Sequence, residues 1–570
     1  MIWDRQASDA QTISLLQAAG LRTIRIPGGS LSDEYHWRLN KGSDSKTGVL
    51  NSWTWFTGMD GFAREITTLN AHAFVTVNYG SGTPEEAAAW VAYANAATTS
   101  TTVIGTDSAN YDWQNAGTWA ALRNSAPLAT DDGMNFLRVS RASPYGFKHW
   151  EIGNECYGQP WETDLNSRPH DPQQYAERAK LYIEKMKAVD PSIKIGVVIT
   201  SREDDYSNGY TRSVTNPRTN VAYRGWTPVM LTRLRELGIT PDMVIYHRYE
   251  QAPASDQPNN PENDATLLQK GKTWPDDAAA MRRMVNDYLG TTEGPKVEIV
   301  VTENNSVYAN PGKQSTSLVN GLFLADSVAN LMQTEINAFM WWGVRNGPPN
   351  SNGVITGNMS SSLYGWRTYG DYGMLSMATT LPGGSTTNYD PHPTYYAFKL
   401  LSKFARQGDA VVQATSNNSL LSVFAVKKTG GNLNLLVINK DPAASLNASI
   451  TLAGYTPPAA AFVYSYGKPQ DDAAKPGGSG STDLASTTLA ISGTTFTTSF
   501  APYSMTVLSL DPTATPPAPS TPTTPTTPTT PTTPSTPSSG GGGGGGGAPS
   551  AWFLGALALL ALGRLRQNRR

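Results

Sequence analysis

Two glutamates are distinguished by what precedes them. Glu155 closes KHWEIGNE after the apolar run from Lys148, and Glu303 closes VEIVVTE after Val297. A buried strand ordinarily gives way to glycine or a turn, so a carboxylate at that point sits where the strand opens into its loop. Two carboxylates brought together there could protonate a leaving oxygen on one side and attack, or activate water, on the other, which is the chemistry of glycosidic bond cleavage. The alternative use is as two ligands of a metal ion, which calls for further convergent ligands such as histidine. The sequence shows no histidine converging on the pair, so acid–base chemistry is favoured, and no metal or cofactor is expected.

The surrounding pattern explains how two residues 148 positions apart could meet. Apolar, β-branched runs at Arg22 to Pro27, Ala73 to Asn78, Lys148 to Glu155, Ile193 to Thr200, Asp242 to Tyr249, Val297 to Glu303 and Ile336 to Trp342 read as strands. Helical periodicity separates them, as in PEEAAAWVAYAN, PQQYAERAKLYIEKMKAVD and SLVNGLFLADSVANLMQ. Strand and helix alternating over this length predict an α/β fold, a (β/α)8 TIM barrel. Seven strands are present where eight are needed, and Asp9 to Gly20 ahead of the first already reads as a helix. The barrel is therefore expected to lack its first strand through N-terminal truncation of the gene product, with an upstream frame supplying it. Restoring that strand places Glu155 on strand four and Glu303 on strand seven. Both then lie at the C-terminal mouth of the barrel, where such folds carry their chemistry.

The barrel is expected to span residues 1–392. At residue 393 the pattern changes: the helix PTYYAFKLLSKFA is expected to close the barrel, and the short alternating runs after it (LLSVFAVKK, NLNLLVINK, SITLAG, AAFVYSY, TTLAISG, SMTVLSL) predict an antiparallel β-sandwich, the whole of 393–511 forming the C-terminal part. Residues 512–547 are a Pro/Thr repeat and a glycine run, read as a disordered linker. Residues 548–570 carry the apolar AWFLGALALLALG and the basic RLRQNRR. That apolar run is shorter than the roughly 20 residues of a spanning helix. Linker, glycines, short apolar helix and arginines resemble the GlyGly type of C-terminal sorting signal, which implies export to the surface or exterior of a Gram-negative bacterium and transient or permanent membrane insertion. Met1 opens without a signal peptide, in keeping with the truncation.

Composition narrows the function. A formal net charge of −2 with no basic run before the last residues excludes a nucleic-acid footprint. The single cysteine, Cys156, excludes an intrachain disulfide and a Cys-based zinc site, and is read as core packing. Fifteen tryptophans and 25 tyrosines offer flat apolar faces suited to sugar rings.

Several motifs then carry a family resemblance. IGNE on one strand with a glutamate three strands on resembles clan A of the retaining glycoside hydrolases. LRTIRIPGGSLSDEYHW (Leu21 to Trp37) is similar to the R-x-P-G-G-x…Y-H-W element of glycoside hydrolase family 51, mostly α-L-arabinofuranosidases. VNYGSGTPEEAAAWVAYAN and IYHRYE resemble that family's next elements. The resemblance implies a general acid/base at Glu155 and a nucleophile at Glu303. It further implies a 2-hydroxyl partner at Asn154, a charge beside the nucleophile at Arg25, and the His-x-Tyr pair His247 and Tyr249, with Tyr249 orienting Glu303. A retaining pair lies about 5 to 5.5 Å apart. An oligosaccharide or polysaccharide substrate is implied, with β-xylosidase or β-glucuronidase of the same clan as the alternative chemistry and a surface carbohydrate-binding protein as the non-catalytic one. Three positions depart from the pattern: TENNSVY lacks tryptophans after the nucleophile, Ser30 stands for asparagine, and the first strand's sugar-binding glutamate is absent. One of Trp341 and Trp342 is expected to line the pocket, and the segment Arg345 to Pro391, with Trp366, Tyr369 and Tyr372, to form a wall for substrate.

Overall fold

The computed structural model describes residues 4, 6–43, 50–54, 57–158, 169–259, 261–351, 354–381 and 384–511. The linker and sorting segment expected over 512–570 lie outside the described residues. Among those described, no helix is long and apolar enough to cross a membrane.

Seven strands form one parallel sheet in chain order: β1 (Thr23–Ile26), β2 (His72–Val77), β3 (His149–Ile152), β4 (Lys194–Val198), β5 (Met243–Gln251), β6 (Glu298–Val307) and β7 (Ala338–Phe339). Each corresponds to one of the seven apolar runs, and the whole is a (β/α) barrel sheet with β1 and β7 at its two ends. Helices α1 (Ala10–Ala19), α2 (Met59–Leu69), α3 (Pro84–Asn95), α4 (Ala116–Asn124), α5 (Pro172–Val189), α6 (Trp226–Glu236), α7 (Trp274–Leu289) and α8 (Leu318–Leu331) connect or precede the strands. Their starts are written locally. Thr83 and Asp171 cap α3 and α5 by accepting from Glu86 and Gln173 amides, each followed by proline in the first turn, where its missing N–H costs nothing. Strand alternation then sorts side chains: Trp150 faces the helix layer, its ring 6.1 Å from Trp90 of α3, while its neighbours His149 and Glu151 face the opposite way, His149 stacking on Phe74 at 4.5 Å.

The two ends of the sheet are linked through a buried cation. Arg345, beyond β7, pairs Nε with Asp4 at 2.5 Å and donates to Gln6 Oε1 at 3.1 Å and Asn388 Oδ1 at 3.0 Å. Residues ahead of α1 are thereby tied to the loop after β7.

The C-terminal part is an antiparallel sandwich. Six strands, β8 (Ala410–Val412), β9 (Leu421–Lys427), β10 (Leu433–Asn439), β12 (Ala460–Gly467), β13 (Ala485–Ala490) and β15 (Ser504–Leu510), form one sheet, and β11 (Leu446–Thr451) pairs β14 (Thr495–Phe500) in the other. Alternation along β10 is informative. Leu435 and Val437 join the core of the sandwich, whereas Leu436 and Ile438 join the core of the barrel, so the larger sheet is buried on both faces. The helix α9 (Pro393–Phe404), expected to close the barrel, packs against both α1 and α8 of the barrel and also against β12 and β15 of the sandwich. A buried ion pair, Lys440 Nζ to Asp326 Oδ2 at 2.8 Å, crosses the same seam.

At the start of α9, His392 is fully buried, donating from Nδ1 to the Gly373 carbonyl at 2.7 Å with Nε2 3.2 Å from the Tyr369 hydroxyl. Burial, helped by Arg367, lowers its pKa from 6.5 to about 3. The unfolded chain therefore takes up a proton below pH 6.5 that the folded chain refuses, and stability is lost as pH falls towards the folded value. Replacing His392 by Asn removes that uptake. The unfolding free-energy difference between wild type and H392N, measured in urea, is expected to be constant above neutrality and to shrink by about 1.4 kcal/mol per pH unit on acidification below the unfolded pKa.

Candidate active site

The turn after β3 carries the first carboxylate. Gly153 has φ 71°, and a Cβ there would sit 2.4 Å from Cys156 Sγ and 2.7 Å from Tyr79 Cβ, so glycine is required by both conformation and space. Asn154 follows, and then Glu155, itself left-handed at φ 42°. A non-glycine residue held there stores roughly 1–3 kcal/mol of strain, tolerated only where surroundings fix it. Asp33 does the fixing: its Oδ2 accepts from the Asn154 amide and its Oδ1 from the Tyr79 amide, both at 2.9 Å. This carboxylate is fully buried, and burial pushes its pKa up to about 7 against the amides of Asn154, Tyr79 and Gly80 that lower it. Sequence reading passed over Asp33, although it lies in the quoted GGSLSD.

The second carboxylate lies on β6. Its pairing with β5 slips after Tyr246, so that His247 stands opposite Glu303 and Thr302 is left over as a bulge. Glu303 is buried and doubly held: Arg25 Nη1 donates to Oε1 at 2.7 Å and the Tyr249 hydroxyl donates to Oε2 at 2.6 Å. Burial first, and then the charge of Glu303, raises the Tyr249 pKa well above its ordinary value, keeping the phenol a donor. His247 bridges the two acids, with Nδ1 3.0 Å from Glu155 Oε1 and 3.6 Å from Glu303 Oε2, and Nε2 2.9 Å from the Thr302 hydroxyl. One oxygen of Glu155 and one of Glu303 lie within 4.8 Å of each other.

Arg25 is the hub. Its Nε meets Glu151 at 2.8 Å, Nη1 meets Glu303 and Nη2 donates to Asn154 Oδ1 at 2.9 Å. Burial alone would lower its pKa, but Glu151 and then Glu303 outweigh burial and raise it. Arg25→Met is expected to leave two buried carboxylates without their cation and to cost about 3–5 kcal/mol in unfolding free energy by urea titration. All six site residues named from the sequence, Arg25, Asn154, Glu155, His247, Tyr249 and Glu303, thus meet in one cluster.

Aromatic side chains border it. Trp342 lies over the Gly28–Gly29 backbone, where a Cβ on Gly29 would come 2.6 Å from its Cη2; both glycines have positive φ and allow this approach. Trp341 instead packs into the core, with ring centroids 6.1 Å from Phe323 and 6.4 Å from Phe339. Tyr372 reaches the cluster, its ring 6.4 Å from Tyr249 and its hydroxyl donating to the Val307 carbonyl at 3.0 Å. Of the other two aromatics expected in the wall, Trp366 donates to the Asp471 carbonyl of the C-terminal part at 3.1 Å, and the Tyr369 hydroxyl lies 3.2 Å from His392 Nε2. Cys156 is buried, as expected of a packing residue.

A second correction concerns metals. The carboxylates do have a convergent histidine, and among the described residues Glu155, His247 and Glu303 offer three ligand atoms within 4.8 Å. The donor set fits a metal poorly, because both Glu303 oxygens already accept hydrogen bonds and one donor is a guanidinium cation.

Comparison with known proteins agrees with the motif resemblance. No family model matches the chain. Over 198 residues it is 26% identical to the probable alpha-L-arabinofuranosidase C of Aspergillus fumigatus and to alpha-L-arabinofuranosidase C of Emericella nidulans, covering 34% of this chain and 32% of each relative. The match thus spans about a third of the length of these curated relatives. Among solved structures, the alpha-L-arabinofuranosidase of Thermotoga maritima in its arabinose complex superposes with a TM-score of 0.59 at 18% identity, over 89% of this chain and 92% of that one. The GH51 alpha-L-arabinofuranosidase of Thermotoga petrophila gives 0.59 at 18%, over 90% and 93%. CelM2, a bifunctional glucanase-xylanase from a metagenome library, gives 0.52 at 17%, over 87% and 94%. The chain is therefore similar to clan A glycoside hydrolases of the family 51 type, with a partial TIM barrel and a sheet-rich C-terminal domain.

Proposed function

We propose that the chain is a retaining glycoside hydrolase that releases arabinofuranose from a plant-type polysaccharide by double displacement. One observation carries the proposal: carboxylate oxygens of Glu155 and Glu303 within 4.8 Å, near the spacing of a retaining pair. Glu303, gripped by a guanidinium and a phenol, is equipped to carry negative charge and is assigned as nucleophile. Glu155, which faces His247, is assigned as acid/base. Its proton passes to the leaving oxygen as a Glu303 oxygen bonds the anomeric carbon, and in the second half Glu155 takes a proton from the water that frees the sugar. Asn154, oriented by Arg25, faces the sugar 2-hydroxyl in this assignment. The choice of arabinofuranose rests on the activity for which the similar proteins are named.

The test is a panel of aryl α-L-arabinofuranoside, β-xyloside and β-glucuronide. Turnover of the first supports the proposal; turnover of either other sugar alone moves the substrate, and a folded protein silent on all three points to carbohydrate binding without hydrolysis. We further propose export, on the strength of the linker, glycine run, apolar segment and terminal arginines. Fractionation of cells producing the full-length gene product tests it, and a wholly cytosolic protein would contradict it.

A further inference from the structure

Glu151 is a carboxylate that the proposed double displacement does not use. It is wholly buried on β3, two residues before the turn that carries Glu155, on the face of the sheet opposite Trp150. Its Oε2 accepts from Arg25 Nε at 2.8 Å and from the Thr76 hydroxyl at 3.1 Å, Thr76 being its register partner on β2. Among the described residues its Oε1 has no hydrogen-bond partner. A carboxylate is costly to bury, and a purely packing residue at this position would be apolar. Arg25 needs no second carboxylate to be neutralised, since Glu303 already supplies one.

We propose that Glu151 is a positioning residue for the nucleophile, sharing Arg25 with Glu303 so that the guanidinium stays fixed and neutralised when Glu303 loses its charge. The inference rests on the assignment of Glu303 as nucleophile. In the first displacement a Glu303 oxygen bonds the anomeric carbon while the bond to the leaving oxygen breaks and Glu155 delivers its proton there. Glu303 becomes an uncharged ester. Without Glu151, Arg25 would then be a buried cation with no counter-charge, and the covalent intermediate and the transition state leading to it would rise in energy. With Glu151 in place, Arg25 keeps its Nε partner throughout, and its grip on Glu303 is weaker than an exclusive pair would be. The charged and titratable groups facing Glu303 are Arg25 from β1, Glu155 after β3, His247 and Tyr249 from β5, and Tyr372 beyond β7. Those facing Glu151 are Arg25 and, along its own strand, His149.

The experiment uses E151Q and E151D in the full chain, with kcat and KM followed against pH. Removing a negative charge near Glu303 favours ionisation of Glu303, so E151Q is expected to move the acidic limb of kcat/KM down by about one pH unit. It should lower kcat at least tenfold with KM changed less than threefold, and E151D, which keeps the charge one methylene further away, should fall between. A merely structural residue would change the amount of folded enzyme and leave the limb in place, so an E151Q enzyme with wild-type limb and kcat overturns the proposal. If E151Q does not fold, E151D decides alone by the same limb. If the wild type hydrolyses nothing, the functional reading fails separately, and carboxyl carbon NMR of labelled glutamate, assigned with E303Q, still decides whether the Glu303 titration moves down in E151Q. An unmoved titration overturns the proposal there too.

Discussion

Glu303→Gln is expected to reduce hydrolysis of an aryl α-L-arabinofuranoside on the order of 10^5-fold while the protein stays folded. The amide keeps the size of the side chain: its carbonyl oxygen can accept from Arg25, and its NH2 can donate to the Tyr249 hydroxyl oxygen once that phenol turns its proton away. What it loses is the lone negative charge that attacks the anomeric carbon. Arg25 retains Glu151 at 2.8 Å as its counter-ion, so the variant does not strand a buried cation. Activity should therefore fall without a comparable fall in unfolding free energy, unlike in Arg25→Met, where stability itself is lost. Azide offers a further check with Glu303→Ala: a small anion entering the emptied space should restore glycosyl transfer, giving a glycosyl azide of inverted configuration.

Glu155→Ala is expected to cost between about 10^2- and 10^4-fold on substrates whose leaving group needs a proton. With a dinitrophenyl leaving group, which departs unaided, the first displacement should be nearly unaffected. The second should then limit turnover, because the water that attacks the glycosyl-enzyme has lost its base. A burst of phenolate followed by slow turnover is the expected trace in a stopped-flow measurement. Equal loss on good and poor leaving groups would remove Glu155 from the acid/base role.

How much of this was legible beforehand differs by residue. Glu155 and Glu303 could be read from the chain because each ends an apolar run, and the end of a buried strand is a place where an unpaired carboxylate requires a reason. Arg25, Asn154, His247 and Tyr249 were legible only through the family resemblance, since nothing in TIRIP or IYHRYE by itself says which side chains turn inward. The histidine bridge was missed because it depends on the bulge at Thr302, and a slip of one residue in pairing leaves no mark in composition. Glu151 and Asp33 were missed for a related reason. Glu151 depends on β1 and β2 arriving beside it, and Asp33 on the turns after β2 and β3, and long-range placement of that kind is set by the assembled sheet. Trp341 and Trp342 illustrate the same limit: alternation requires opposite faces, but only the packing of Phe323 and Phe339 says which face is core.

Most strands of the sandwich were legible in the chain, the largely exposed β11 and β13 among them. NLNLLVINK is buried on both faces along β10, and its apolar run announces it. β14, TFTTSF, alternates apolar and exposed threonine positions and carries little apolar signal, so it was passed over, as was the three-residue β8. The small sheet after β1, formed by Tyr35–His36, Lys41–Ser43 and Leu50–Thr54, was likewise unforeseen because its strands are short and polar. The helix α9 was found at its true position but belongs to the seam between barrel and sandwich, a placement that depends on which two surfaces it covers.

The most direct test of the central claim is intact-protein and peptide mass spectrometry of Glu155→Ala after incubation with dinitrophenyl α-L-arabinofuranoside. The account predicts a protein heavier by one pentosyl group, with the adduct on the peptide containing Glu303 and none when Glu303 is also replaced. Rapid release of dinitrophenol with no adduct, or an adduct on another residue, would contradict a covalent double displacement through Glu303.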